Sequence, residues 1–179
     1  MLAKILIALG LIVVVLLVVV AWQPATFHIA RTATIAAPPE QVFAQVNDLH
    51  NWEAWSPWLK ADPAAKTTYE GTPAGVGAAF KWSGNKDVGE GRMTITESRP
   101  NDLVRLRLDF MRPFAGTSIA EFKFVPDRNG TGVTWSMTGD KNFLAKAIHL
   151  VLDMDKMVGG KFDEGLAQMK AVAEATAKK

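Results

Sequence analysis

The pattern of apolar and polar positions divides this chain sharply in two. From Ile5 to Trp22 (ILIALGLIVVVLLVVVAW) no charged residue occurs. Eighteen helical residues at about 1.5 Å each reach roughly 27 Å, close to the hydrocarbon thickness of a bilayer. Beyond this run the pattern becomes shorter and mixed. Phe27–Ile35 alternates with β-branched residues and predicts a strand. Pro38-Pro39 open a short helix, PPEQVFAQVND, with Val42, Phe43 and Val46 on one face. In HNWEAWSPWL, Trp52, Trp55 and Trp58 recur every third residue, on one side of a helical turn that Pro57 interrupts.

Turn-rich punctuation then predicts antiparallel strands over Lys66–Glu70, Gly77–Ser83, Gly89–Arg99, Leu103–Met111, Thr117–Val125 and Gly132–Gly139. Val104, Leu106, Leu108 and Phe110 share one face, and Arg105, Arg107 and Asp109 the other. Ala120, Phe122 and Phe124 oppose Glu121 and Lys123, and Val133, Trp135 and Met137 continue the apolar side. One face of the sheet is therefore apolar and the other wet. From Phe143 to about Ala175 apolar residues recur at helical spacing, with a kink or break expected at Gly159-Gly160 and Asp140 as the expected cap near Phe143. The expected fold is α+β: a curved antiparallel sheet around a long C-terminal helix, plus one N-terminal transmembrane helix.

The N-terminal run supports two readings. Lys4 and Val19-Val20-Ala21 fit a cleaved signal, but the run exceeds the usual signal core of about 7–15 residues, and Trp22 sits where an interfacial anchor would. The expected division is a membrane anchor or signal segment over 1–23 and one domain over 24–179. Lys4 and the α-amine on one flank favour a single-pass arrangement with the domain outside the cytoplasm.

A net charge of +2 with no Lys/Arg block gives no basis for nucleic-acid binding. The lack of cysteine removes disulfides, thiolate nucleophiles and Cys-ligated metals. His28, His50 and His149 are far apart and none has metal-ligand spacing, so no metal or organic cofactor is implied. The loop GTPAGVG (71–77) lacks the Lys-Ser/Thr and the helix of a phosphate cradle, and reads as a strand connection able to gate a cavity mouth. Six tryptophans and nine phenylalanines against one tyrosine supply apolar surface with few polar handles, as expected for a large core or a hydrophobic cavity.

The pieces APPEQVFAQVND, NWEAWSPW, YEGTPAGVGAAFKWSGNKDVGEGRMTITESRP, GTGVTWSMTGD and DMDKMVGGKFDEGLAQMK, in this order, resemble the START-like or SRPBCC superfamily in its polyketide cyclase/dehydrase and lipid-transport branch. The resemblance covers roughly Phe27 to Glu174. It implies a helix-grip fold with a deep apolar cavity for lipids, sterols, polyketides or other hydrophobic molecules. It does not imply one activity, since members include carriers, cyclases, hydroxylase domains and chaperone regulators.

The candidate ligand-binding set is Trp52, Trp55, Trp58, Phe80, Trp82, Met93, Leu108, Phe110, Phe122, Trp135, Met137, Leu144, Ile148 and Met157. Apolar walls with flexible methionines suit a loosely specified hydrophobic ligand, although the same residues also serve to fill a core. Three functions follow. The first is a membrane-tethered binding or transfer module for lipid-like or other hydrophobic small molecules. The second is a cyclase or dehydratase, for which His149, Asp153 and Tyr69 are the candidate proton-moving groups. The third is a protein-binding regulator with an incidental cavity, its partner unknown, which an exposed patch around Trp52–Trp58 would support.

Overall fold

The computed structural model describes residues 1–177; Lys178 and Lys179, the last two of the expected domain, lie outside the described residues. Helix α1 (Leu2–Trp22) carries the charge-poor run, is long and apolar enough to cross a membrane, and exposes nearly its whole surface. The same length and composition serve a membrane span or a signal sequence. Three residues later the chain enters β1 (Thr26–Ile35), the edge of a seven-stranded sheet.

The remaining strands are β2 (Lys66–Glu70), β3 (Ala79–Ser83), β4 (Glu90–Arg99), β5 (Leu103–Arg112), β6 (Gly116–Asp127) and β7 (Gly130–Asp140). They pair antiparallel in the order β1-β7-β6-β5-β4-β3-β2. Alternation sets the faces as expected: Leu106, Ala120, Phe122, Val133 and Trp135 are buried on the inner side. On the wet side Arg105 pairs with Glu97 and Glu121, and Arg107 with Asp109.

Three short helices cover one part of the inner face: α2 (Pro39–Asn47), α3 (Trp52–Trp55) and α4 (Pro57–Ala61). Between α2 and α3, Asp48 accepts from the backbone N–H of His50 and shapes a single tight turn. Pro57 starts α4 rather than ending the segment, because proline at a first helical position loses no hydrogen bond.

The C-terminal stretch departs from expectation in two ways. It forms two helices, α5 (Phe143–Val151) and α6 (Met154–Ala177), and the break falls at Leu152–Asp153. The Asp153 carboxylate accepts from the N–H of Lys156, at 3.0 Å, and so starts a new helix. Gly159-Gly160 lies inside an unbroken α6. Gly159 is needed for close approach: a Cβ there would stand 2.1 Å from Arg31 Nη2. Asp140 ends β7, and the cap of α5 is Asn142, whose side chain accepts from Ala145 N–H at 2.8 Å.

Arg31 fastens the start of α6 to the sheet. It reaches Asp155 at 2.8 Å and Asp163 at 3.2 Å, from β1 across to the helix. The hydrogen bond and charge of Arg31 hold the Asp155 carboxyl below its ordinary value. At the far end of the contact, Glu174 accepts from Ala36 N–H at 2.8 Å, so both ends of α6 are tied to β1 or its exit.

Candidate functional site

Trp135 organises the interior. Its ring stacks on Phe162 of α6 at 4.2 Å and 9°, and on Phe122 at 4.7 Å and 28°. Trp55 and Trp58 meet it edge-on at 5.7 and 5.6 Å. The indole N–H groups of Trp52 and Trp55 donate to the carbonyls of Val46 and Gln45, at the end of α2. Such bonds allow tryptophan to be buried without an orphaned donor. Trp135 Nε1 is buried without a hydrogen-bond partner among the described residues. The centre of the grip between sheet and α6 is thus filled with rings at van der Waals separation.

The expected ligand-binding residues separate accordingly. Trp52, Trp55, Phe122 and Trp135 belong to this packed centre, and Phe80 and Met93 are buried on the same face. Trp82, Leu108, Phe110 and Met137 lie on the inner face nearer the end where α1 joins, and are half-buried, as are Trp58 and Ile148. Leu144 and Met157 are exposed, at 54% and 56%.

An open groove of about 510 Å³ lies at that α1 end, between the first residues of β1 and the α5–α6 junction. Phe27, Ile29, Leu150, Val151, Leu152 and Met154 supply its apolar lining. Its size is within the range usual for small-molecule sites, roughly 300–1,000 Å³. His28, His149, Asp153 and Asp155 also line it. The His149 ring lies 5.9 Å from Phe27, and partial burial, then the Lys141 charge, lowers its pKa from the ordinary 6.5. His28 Nδ1 is 3.3 Å from Thr138 Oγ1.

The expected set contained none of the groove's apolar residues. One local signal for them was available: Asp153 followed by Met154-Asp155-Lys156 is a helix start, which places an interhelical corner directly after the apolar run Leu150–Leu152.

Tyr69 is elsewhere. Its hydroxyl donates to Glu53 at 2.8 Å and its ring stacks on His50 at 3.9 Å, while burial and the Glu53 carboxylate push its pKa up. It therefore stays protonated and away from the groove. The loop 71–77 joins β2 to β3 at the edge of the sheet opposite β1, and none of its residues lines the groove, so it does not gate that mouth. Its Gly75 and Gly77 N–H groups are taken by Asn47 and Ile95 carbonyls. No group of three or more metal-ligating side chains occurs among the described residues.

Residues 26–174 match the family model for polyketide cyclase/dehydrase and lipid transport. The chain belongs to this family. Solved structures agree on the fold. A protein from Chromobacterium violaceum is 18% identical with a TM-score of 0.58, over 84% of this chain and 99% of that one. The Aha1 dimer from Colwellia psychrerythraea gives 18% and 0.60, over 83% and 96%. The di-domain ARO/CYC StfQ from the steffimycin biosynthetic pathway gives 15% and 0.62, over 87% of this chain and 53% of that one. At these identities the likeness is one of fold. Among curated proteins no sequence relative was found. Within the family's grip, this chain packs the centre with aromatic rings and leaves its open space at the α1 end.

Proposed function

We propose that this family member is a membrane-tethered module that binds or transfers a lipid-like or other hydrophobic small molecule through the groove between β1 and the α5–α6 junction. The observation that carries the reading is the position of that groove: an open space, walled by apolar side chains and polar groups together, beside the last turn of an exposed apolar helix. Residues 1–23 act as the anchor and 24–179 as the ligand-binding domain, on the extracytoplasmic side. A tether holds the site close to a reservoir of apolar ligand, so modest intrinsic affinity suffices.

A cyclase or dehydratase is the second reading, and one observation favours it. His149 and Asp153, two of the three proton-moving candidates, both line the groove. Neither is isolated from solvent, since His149 is half-buried and Asp153 exposed, and the binding reading stands first for that reason. The regulator reading loses its expected support, because Trp52 and Trp55 are buried.

The test is saturable binding of a fluorescent fatty acid by the full chain in mild detergent. Leu152→Trp, which adds bulk at the groove, should weaken binding about tenfold, corresponding to about 1.4 kcal/mol. Saturable binding that Leu152→Trp leaves unchanged would move the ligand out of the groove, and no saturable binding would remove the reading.

A further inference from the structure

The exposed large apolar residues of the domain are not scattered. Apart from Val76 and Val125, they gather where α1 joins. Strand register shows why they share one end. Thr26 pairs with Asp140, Ser118 with Gly139, Phe110 with Gly116 and Glu90 with Arg112. The start of β1, the end of β7 and the β5–β6 turn therefore lie along a single rim. Met111 and Phe114 project from that turn, Phe114 at 62% exposure. Helix α5 follows β7 directly and buries none of its residues, although Phe143, Leu144, Leu150 and Val151 are all apolar.

α5 also packs against the end of α1, where Lys146 Nζ donates to the Ala21 carbonyl at 3.2 Å. Only Gln23, Pro24 and Ala25 separate α1 from β1, a reach of about 10 Å at most. A bilayer spanned by α1 must therefore have its surface at α5, whatever the domain does elsewhere. Charges beside the patch are of both signs, with Lys141 and Lys146 against Asp140 and Asp153, which fits insertion by apolar burial rather than attraction to anionic lipid.

We propose that this end of the domain lies on the bilayer, with α5 and the β5–β6 turn sunk among the headgroups and the groove taking its ligand directly from the membrane. The proposal rests on the reading of α1 as a membrane span, and commits to lipid rather than a second copy of the chain as the occupant of the patch. An apolar helix face in such a position sits about 5–10 Å into the headgroup–acyl boundary.

The native chain has no cysteine, so single reporters can be placed cleanly. The full chain would be reconstituted in phosphatidylcholine vesicles with an environment-sensitive fluorophore at Phe114→Cys, Val151→Cys, Val125→Cys or Val13→Cys. Val125 marks the far end of the sheet and Val13 the middle of α1. The expected result is blue-shifted emission at 13, 114 and 151, quenched by lipids carrying a doxyl group, with 125 remaining aqueous. A lipid-quenched probe at 13 with aqueous probes at 114 and 151 would overturn the docking while leaving the anchor intact. An aqueous probe at 13 would remove the anchor and the docking with it. Blue-shifted probes at 114 and 151 that lipid quenchers do not reach, but that transfer energy between chains, would give the patch to a second copy and also overturn the proposal.

Discussion

Phe162→Ala tests whether the centre of the grip is packed or holds a ligand space. Phe162 is 1% exposed and lies flat on Trp135 at 4.2 Å. A buried aromatic side chain removes about 150–250 Å² from water, worth roughly 4–6 kcal/mol before the alanine that remains is counted. Phe→Ala substitutions in packed cores cost about 3–5 kcal/mol, since neighbours collapse only partly into the space. Here Phe122 holds the opposite face of Trp135, and Trp58 abuts both Trp135 and Phe162, so little collapse is available. The expected loss is about 4 kcal/mol, or about 8–16 °C in Tm for a domain of this size. Thermal unfolding of the full chain in detergent reads it. Small aromatic molecules should recover part of the loss by entering the new apolar space. A loss below about 1 kcal/mol would instead mean that Phe162 borders an existing cavity rather than a packed stack.

Other consequences are equally direct. Gly165→Ala would put a Cβ 2.8 Å from the Trp135 ring and 3.2 Å from Pro57. Overpacking of about 1–3 kcal/mol should outweigh the helix-propensity gain of about 1 kcal/mol, so Tm should fall; a rise would show that Trp135 yields. Arg31→Met removes the ties to Asp155 and Asp163, and amide exchange should accelerate over residues 154–158 while the buried middle of α6 is unchanged. Because Asp155 titrates below its ordinary value, this tie is complete above the usual carboxylate range and weakens as pH falls through the lowered value; exchange followed against pH checks it. His149 should titrate below 6.5 by NMR. Its folded pKa is the lower one, so the unfolded chain takes up its proton first, and the His149 contribution should decline as pH falls below 6.5; His149→Gln should remove that part of the pH dependence.

The sheet was legible because strand alternation is a local property. Leu103–Arg112 announces its buried and wet faces within ten residues, and its neighbours do the same. The corner at Leu152–Asp153 was not, because two adjacent glycines are a louder punctuation signal than one aspartate cap. Gly159 proves to serve side-chain approach by Arg31 rather than a bend. Of the site, the aromatic residues were legible by composition and face, but not their role. Stacking of Trp135 between Phe122 and Phe162 joins two strands and a distant helix, and no local pattern encodes it. The groove escaped for the same reason: its walls come from the first strand and the last helical corner of the domain.

Photo-crosslinking asks whether membrane lipid occupies the groove. The full chain, embedded in vesicles containing a lipid with a diazirine on its acyl chain, would be irradiated, digested and mapped by mass spectrometry. Adducts concentrated at residues 27–29 and 149–155, and lost with Leu152→Trp, are the expected result. Adducts confined to α1, with the groove unlabelled, would contradict a hydrophobic-ligand site at the membrane end of this fold.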